Sequence, residues 1–271
     1  MFDFTRNELN NIGIDLVSCI SLNECEISKP HLLKRCDIEE GSAIIFALPY
    51  LTPEALQERN VSSYAVSRDY HIFFKELFED IISKLKKRYP EHKFAGFSDH
   101  SPINEIKAAA KAGLGVIGKN HLLITNNHSS YVFIGEIITD AILPSKADTI
   151  NYCINCGKCI EQCPVDGDIS KCLSALTQKK GELSDDEIKA IKSHKTAWGC
   201  DKCQEVCPYT KKALECGSIF TKIEFFNDSI TPTLTSDDID KMDENTFKER
   251  AYSWRGKSVI SRNLKILEED K

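Results

Sequence analysis

Cysteine spacing in the second half of the chain limits its possible folds more than any other sequence feature. Nine of the twelve cysteines lie between residues 150 and 216, and four of them form C-x2-C-x2-C-x3-C-P from Cys153 to Cys163-Pro164. Three thiolates on one tight turn can bind three corners of an iron-sulfur cubane, whereas the fourth ligand must come from a distant segment. The spacing therefore predicts two [4Fe-4S] clusters that exchange ligands.

A second group of cysteines supplies the remaining ligands. It reads C-x2-C-x3-C-P from Cys200 to Cys207-Pro208, and Cys172 lies alone between the two groups. Two zinc sites are the alternative, but a zinc site closes with four ligands and gives the further x3-C-P cysteine no role. We assign one cluster to Cys153, Cys156, Cys159 and Cys207, and the other to Cys163, Cys172, Cys200 and Cys203. The cysteines without such spacing are expected to be buried thiols: Cys19, Cys25, Cys36 and Cys216.

Composition and charge narrow the class of protein. The 271 residues have an ordinary apolar fraction, and the N-terminus MFDFTRNELNN lacks the basic flank and apolar run of a secretory signal. No run reaches the roughly 18 apolar residues of a membrane span. A cytoplasmic protein is therefore expected, in which twelve cysteines favour metal binding over disulfides.

The net charge of -6 argues against a general electrostatic attraction to nucleic acid. The stretch from residue 248 to residue 265 is nevertheless locally basic. It is interpreted either as a solvated helix face or as a nucleic-acid contact, and its basic residues are Lys248, Arg250, Arg255, Lys257, Arg262 and Lys265.

The order of the patterns predicts three regions. Residues 1–147 alternate between helix and strand and are expected to form an α/β domain. Residues 148–220 contain the cysteines and are expected to form an α+β, ferredoxin-like double-cluster domain. Residues 221–271 are expected to be a C-terminal helical extension.

Several elements of the first region can be predicted individually. Residues 42–48 form a continuous apolar run, typical of a strand buried on both faces. Helical spacing predicts a helix from Asp69 to Tyr89. A second helix is predicted with Ser101 as N-cap, Pro102 at its first position and Gly113 at its end. Two strands are predicted at residues 122–125 and 131–138.

Beyond the cysteines, four stretches of the chain resemble the epoxyqueuosine reductase family. They are Tyr64 to His71, Asp99-His-Ser-Pro102 leading into residues 111–119, Ser130 to Glu136 with Thr139-Asp140, and the cysteine module with Trp198 to Cys203. Cys172-Leu-Ser174 matches the lone cysteine that the family places between the two groups. The interval from Cys163 to Cys172 is shorter than is usual there.

The resemblance implies a cobalamin cofactor in the α/β domain in addition to the two clusters. It implies that Asp99 is the general acid, with a pKa raised by burial against the cofactor. By position, the residues implied to contact cobalamin are Arg68, Asp99, Lys119, Ser130, Ser174 and Asp201. For each of them a salt bridge, turn or cap is the alternative role. His71 is interpreted as a packing residue.

The implied reaction is the reductive removal of the epoxide oxygen of epoxyqueuosine in tRNA, with electrons from an external low-potential donor and no membrane partner. Family members commonly continue into a C-terminal helical-repeat domain, and the sequence resembles a short form without it. Two other functions stay open. One is a cobalamin and iron-sulfur reductase acting on another small molecule, and the other is a non-catalytic carrier of electrons.

Overall fold

A computed structural model describes residues 1–269, which separate into two compact units. Unit 1 contains residues 1–50, 73–156 and 212–223, and unit 2 contains residues 51–72, 157–211 and the chain from residue 224 onward. Each unit therefore combines segments that are distant in sequence. The predicted division at residues 147 and 220 describes the order of the motifs along the chain, and as a division into domains it stays a prediction.

Unit 1 is built on a four-stranded sheet. Its strands are β1 (Leu16–Ser21), β2 (Ser42–Pro49), β3 (Phe94–Phe97) and β6 (Val132–Thr139), in the order β1-β2-β6-β3. All neighbouring pairs are antiparallel, with Phe46 opposite Gly135 between β2 and β6. A two-stranded hairpin of β4 (Val116–Ile117) and β5 (Leu123–Ile124) lies outside this sheet.

The helices of unit 1 pack apolar side chains against the sheet. They are α1 (Phe2–Asn11), α2 (Pro30–Arg35), α3 (Tyr70–Arg88, from residue 73 onward) and α4 (Glu105–Lys111). Ala108 and Ala109 of α4 join one hydrophobic cluster with Ile45, Ile134 and Ile138 of the sheet. Burial of this apolar surface supplies most of the driving force for folding.

Aromatic rings cover the sheet at Gly96 and Gly135. Phe74 and Phe78 of α3 have ring centroids 5.5 Å apart, and the Phe74 ring is 6.1 Å from that of Phe46. A Cβ on Gly135 would overlap the rings of Phe46 and Phe74, and a Cβ on Gly96 would overlap Phe78. Glycine is therefore required here because the rings approach the backbone closely.

The apolar patterns predicted several elements correctly. The strand predicted at residues 42–48 is β2, buried along its whole length, and the helix predicted over residues 69–89 is α3. The strands predicted at residues 122–125 and 131–138 are β5 and β6, with small changes at their ends.

The predicted start of the helix after Asp99 is wrong. This helix, α4, begins at Glu105, and its N-cap is Asn104, whose side chain accepts from Lys107 N at 3.2 Å. Residues 102–104 are extended instead because their backbone pairs with residues 26–29, including Asn104 N to Glu26 O at 2.9 Å. The predicted end is correct, since Gly113 follows the helix with φ +81°.

Unit 2 is helical in its described part. Two short helices contain cysteines of the module, α5 (Lys158–Glu161) and α8 (Lys202–Glu205), and they contact each other. The other helices are α6 (Leu173–Thr177), α7 (Asp185–His194), α9 (Pro208–Glu215, up to residue 211), α10 (Ser236–Lys241), α11 (Glu244–Lys248) and α12 (Lys257–Glu268). Within residues 1–269, no helix has both the length and the apolar character needed to cross a bilayer.

The C-terminal helix α12 is fastened to the rest of unit 2 by a buried amide. Asn263 is fully buried, and its Nδ2 donates to Thr177 O at 2.7 Å and to Ala197 O at 2.8 Å. Buried backbone carbonyls need such donors, because leaving one without a partner is costly. α12 is therefore part of the core of unit 2.

Candidate functional site

Asp99 lies just after β3, in the loop that leads to α4. Its φ is +58°, a left-handed conformation that Asp and Asn adopt more readily than other residues with side chains. The residue is exposed. The expected rise in the pKa of Asp99 on burial against a cofactor stays a prediction, and within the chain itself the burial falls on two neighbouring carboxyl groups.

The first of these neighbours is Glu136, at the centre of β6. It lies opposite Ile45 of β2 and Phe97 of β3, two residues before Asp99. Side chains alternate along a strand, so Glu136 shares the α4-facing side of the sheet with Ile134 and Ile138. The residue is 0% exposed, and neither of its carboxyl oxygens has a well-aligned hydrogen bond within residues 1–269, although the Ser101 hydroxyl lies close enough to act on the group.

The second neighbour is Glu105, the first residue of α4. Its carboxyl group accepts a hydrogen bond from the backbone N–H of Asp99, which ties the loop to the helix. Its Oε2 is buried and has no hydrogen-bond partner among the described residues. We call Asp99, Glu105 and Glu136 the carboxyl cluster; all three belong to unit 1.

Burial and mutual repulsion raise the proton affinity of this cluster. Loss of hydration raises the pKa of Glu105 to about 7, the charge of Asp99 adds to the rise, and the Asp99 N–H and Lys29 oppose it. Burial also raises the pKa of Glu136 well above its ordinary value, and the charges of Glu105 and Asp99 add to this. The Ser101 hydroxyl opposes this rise and lowers the pKa of Glu136. The arrangement can hold protons at neutral pH beside the exposed Asp99.

Sequence reasoning missed Glu105 and Glu136 as functional candidates. Glu136 was visible as the single charged residue in an apolar strand, Val132–Thr139. Glu105 carried no such signal, because a glutamate in the first turn of a helix is ordinary.

A different carboxylate is buried in unit 2. Asp201 immediately follows Cys200 and is 5% exposed. It accepts from Ser62 Oγ at 2.5 Å, from Ser63 N at 2.6 Å and from Ser63 Oγ at 2.8 Å. Arg59 at 3.2 Å and Gln204 at 3.1 Å complete its partners. We call this set the Asp201 network; it fixes the loop before α8 to residues 59–63.

Around the Asp201 network, several predicted cluster ligands lie close together. The thiols of Cys163 and Cys172 are near enough to Cys200 for their charges to raise its pKa. Burial is the largest cause of that rise, which brings the pKa to about 11, and the backbone N–H of Lys202 opposes it. These three cysteines belong to the same predicted ligand set. Their proximity and thiol chemistry suit an iron-sulfur cluster.

The two cysteine helices have matching sequences. α5 reads Lys-Cys-Ile-Glu and α8 reads Lys-Cys-Gln-Glu, so Cys159 and Cys203 occupy equivalent positions. Within the described part of the chain, no three His, Cys, Asp or Glu side chains converge on a point that could hold one metal ion. A cubane does not need such convergence, because each of its four irons takes one thiolate.

The other residues predicted from the resemblance differ in their surroundings within each unit. In unit 1, Lys119 is exposed between β4 and β5, and Ser130 is buried before β6. In unit 2, the Arg68 guanidinium lies 4.6 Å from the Phe225 ring centroid, and Ser174 Oγ is 3.5 Å from Gln178 Nε2.

His71 also has local partners. Its Nδ1 is 2.8 Å from Asp69 Oδ1, and its ring stacks on that of Tyr70 with the centroids 4.2 Å apart.

The locally basic stretch is partly structural. Arg250 is buried and donates to Ser229 O at 2.5 Å and to Thr231. Arg262 donates to Lys179 O at 3.0 Å and to Gly181 O at 2.5 Å. These guanidinium groups stabilise unit 2, so the stretch contains fewer cations for a ligand than its composition suggests.

Comparison with protein families identifies two matching models. Residues 152–210 match a 4Fe-4S double cluster binding domain, which confirms that the cysteine module is an iron-sulfur module. Residues 36–100 match the model described as epoxyqueuosine reductase QueG, and this range ends just after Asp99.

Curated proteins with the same description are similar over much of the chain. The epoxyqueuosine reductase of Lactococcus garvieae is 31% identical over 86% of this chain and 70% of its own length. That of Aliivibrio fischeri is 33% identical over 61% of this chain and 48% of its own length, so the chain spans about half of that relative.

Solved structures have the same fold. A crystal structure of epoxyqueuosine reductase with a tRNA-Tyr epoxyqueuosine-modified stem loop matches with a TM-score of 0.76 at 23% identity. The match covers 98% of this chain and 80% of that one. The structure of the enzyme from Streptococcus thermophilus also has a TM-score of 0.76 and covers 97% and 80% of the two chains.

Proposed function

The chain belongs to the epoxyqueuosine reductase family, and on that basis we propose that it reduces epoxyqueuosine to queuosine in tRNA. The observation that carries the proposal is the presence of a double-cluster module and an acid-holding carboxyl cluster in one chain of this family. The first is suited to electron transfer and the second to proton transfer. A tRNA-modifying enzyme of this kind would work in the cytoplasm.

The chemistry of the reaction sets what the protein must supply. Removing the epoxide oxygen breaks two C–O bonds, forms one C=C bond and releases the oxygen as water. The balanced reaction consumes two electrons and two protons. The protein therefore needs a path for electrons and a source of protons close to the leaving oxygen.

Electrons would enter from an external low-potential donor. The proposed ligands are Cys153, Cys156, Cys159 and Cys207 for one [4Fe-4S] cluster, and Cys163, Cys172, Cys200 and Cys203 for the other. Clusters held in this way supply one-electron transfer. The Asp201 network would keep the loop that carries Cys200 and Cys203 in one conformation.

A bound cobalamin would supply the two-electron reduction of the epoxide carbon. The residues proposed to hold it are Arg68, Asp99, Lys119, Ser130, Ser174 and Asp201. Arg68 fits this role, since its Nε is buried without a hydrogen bond in residues 1–269, although Glu249 Oε2 lies 3.3 Å away. Asp201 fits it less well because its carboxylate already accepts from five donors.

Asp99 would donate the proton to the leaving oxygen. Its position outside the buried part of the carboxyl cluster leaves its side chain accessible to a substrate. Its left-handed backbone conformation and the hydrogen bond to Glu105 orient the loop before any substrate binds. Such preorganisation lowers the cost of reaching the transition state.

For the tRNA, an exposed side chain of the C-terminal stretch offers a contact. Trp254 is 56% exposed, and the Arg255 guanidinium lies 3.7 Å from its ring centroid. Aromatic and guanidinium planes can stack on unpaired RNA bases. This pair is proposed as part of the tRNA contact.

The test uses the full chain, purified and reconstituted without oxygen. Iron, sulfide and cobalt are counted per chain, and tRNA containing epoxyqueuosine is incubated with the protein and a low-potential reductant. Nucleoside analysis by mass spectrometry should show queuosine in place of epoxyqueuosine. Cobalamin and clusters without conversion of the tRNA would favour another small-molecule substrate, and clusters without cobalamin would favour an electron carrier.

A further inference from the structure

The carboxyl cluster raises a question of proton supply. Each proposed turnover consumes two protons, whereas the single carboxyl group of Asp99 can deliver only one before it must be protonated again. Within unit 1, Glu105 is linked to Asp99 by a hydrogen bond, because its carboxyl group accepts from the Asp99 N–H. Its position between the exposed Asp99 and the buried interior suits a proton carrier.

We propose that Glu105 supplies the second proton of the reaction by reprotonating Asp99, with Glu136 as the buried carboxyl group that keeps a proton on the cluster. The inference rests on the proposed reduction of an epoxide and extends it to residues that the family resemblance did not include. Glu105 acts through Asp99, so it is a positioning residue and not a catalytic one.

The proposed transfer is balanced. Asp99 gives its proton to the leaving oxygen as the first C–O bond breaks, and becomes a carboxylate. The O–H bond of Glu105 then breaks as a new O–H bond forms on Asp99, and Asp99 delivers this second proton as water leaves. Glu105, left as a carboxylate, takes a proton from solvent. No electrons move in these proton steps, since the reductant supplies both electrons.

Glu136 explains why a proton stays near Asp99. It is 0% exposed on the side of the sheet that carries Ile134 and Ile138, and neither of its oxygens has a well-aligned hydrogen bond in the described chain, although the Ser101 hydroxyl lies close enough to act on it. An ionised carboxylate in such a place is very costly, so the group keeps its proton. A neutral Glu136 adds no negative charge that would repel the carboxylate formed on Glu105.

The other titratable groups near the cluster are few. The charge of Lys29 lowers the pKa of Glu105, and its Nζ lies 3.2 Å from the His100 Nδ1. Lys29 and His100 therefore belong to the rim of the site. Cys25 interacts with Glu136 and Lys111, and burial is the main cause that raises the pKa of its thiol to about 12. A thiol of this kind does not titrate near neutral pH. Loss of a proton from the cluster between pH 6 and pH 8 is therefore assigned to Glu105, whose pKa is about 7.

The role of Glu105 is tested by one measurement that needs no substrate and by one that does. Infrared difference spectra of the full chain, taken between pH 6 and pH 8, report the C=O stretch of a protonated carboxyl group. The wild type should show one such group that titrates near pH 7. Glu105→Gln should lose the signal, and Glu105→Asp should restore a titrating group.

The second measurement is the pH profile of turnover with epoxyqueuosine in tRNA. The wild type should lose activity above about pH 7, when Glu105 has no proton to give. Glu105→Gln should be slower by about ten-fold or more below pH 7 and should lack this alkaline decline. Glu26→Gln is the matched control: Glu26 is exposed and pairs with Lys107 on the outer side of α4 at 2.6 Å, so it should keep both the infrared signal and the profile.

The outcomes separate the two proposals. A wild type that binds clusters and cobalamin but never converts epoxyqueuosine overturns the proposed function and this inference with it. A wild type that turns over, with a pH profile that Glu105→Gln leaves unchanged, overturns the inference alone. An infrared signal that survives Glu105→Gln also overturns it.

Discussion

The carboxyl cluster of unit 1 and the Asp201 network of unit 2 bury similar groups in opposite ways. Glu136 is fully buried, and its two oxygens have no well-aligned hydrogen bond within residues 1–269, with only the Ser101 hydroxyl shown to oppose the rise in its pKa. Asp201 is also buried, at 5% exposed, but accepts from two serine residues, an arginine and a glutamine. Burial alone therefore does not decide whether a carboxyl group is surrounded by donors.

The difference lies in the donors around each group. N–H and O–H groups that point at a carboxylate replace its lost hydration and favour the ionised form. Apolar walls do the reverse and favour the protonated form. The Asp201 network is thus suited to holding a loop, whereas the carboxyl cluster is suited to holding protons.

The largest effect should come from Asp99, where the proposed chemistry takes place. Asp99→Asn keeps a residue that tolerates φ +58° but cannot donate a carboxylic proton, so turnover should fall by about 10²–10⁴-fold. Both clusters should remain, as judged by iron content. Asp37→Asn is the control, because Asp37 is also an exposed aspartate with positive φ, at +54°, in unit 1. Near-normal turnover in Asp99→Asn would remove Asp99 from the mechanism.

The next effect tests whether the region of the Asp201 network carries a cluster. Cys172→Ala should remove one ligand of the cluster that includes Cys200, so iron should fall from about eight to about four atoms per chain. Cys216 is exposed, so the expectation that it is a buried thiol is wrong, and it lies outside both predicted ligand sets, so Cys216→Ala provides the control. Eight irons in Cys172→Ala would contradict the ligand assignment.

Asp201→Ala should be strongly destabilising, in contrast to changes in the carboxyl cluster. The substitution removes the buried partner of Arg59, which is 14% exposed at its side chain and keeps the more exposed Glu205, and it leaves Ser63 N without this acceptor. Removing one partner of a buried ion pair costs about 3–5 kcal/mol. Anaerobic thermal or denaturant unfolding measures the loss. Asp186→Ala, at a site 96% exposed, should leave stability unchanged, and a similar loss in both variants would count against the network.

Glu105→Gln should have a smaller effect of the opposite sign. A carboxyl pKa raised from 4.5 to about 7 in the folded state means that folding favours the proton. The stability that Glu105 contributes is therefore complete below pH 4.5, declines as the pH rises to about 7, and stays low above it. The glutamine does not titrate, so the variant should exceed the wild type by up to about 3 kcal/mol at pH 8.

This advantage should disappear near pH 4.5, and unfolding curves at both pH values measure it. Glu26→Gln supplies the comparison with a carboxyl group whose pKa is lowered instead of raised, because the hydrogen bond from Lys107 favours the ionised form of Glu26. Its effect should have the reverse sign, with a slight loss of stability at pH 8. An equal difference between Glu105→Gln and the wild type at both pH values would mean that Glu105 does not titrate in this range.

Patterns of apolar residues and cysteines predicted much of this molecule. The run at residues 42–48 and the periodicity of residues 69–89 depend on burial alone, and both elements are present as β2 and α3. The cysteine module was predicted because cluster ligands follow a strict local spacing, and the family model over residues 152–210 agrees. The ligand assignment and the cobalamin contacts remain predictions.

The parts that the sequence did not reveal depend on contacts between distant segments. Ser101 had the pattern of an N-cap, but pairing of residues 102–104 with residues 26–29 moved the helix start to Asn104 and Glu105. The same pairing brings Glu105 to Asp99. Local patterns contain no information on such pairing, so the carboxyl cluster could not be identified from the sequence.

The glycine beside Glu136 has a consequence for how β6 can respond to charge. Phe46 and Phe74 fill the space over Gly135 so closely that a single methyl group there would overlap them. Interiors packed in this way resist compression. The strand therefore cannot retreat into the aromatic layer to admit water beside Glu136 when Glu105 loses its proton. The rings thus hold the proton-holding face of β6 in one position.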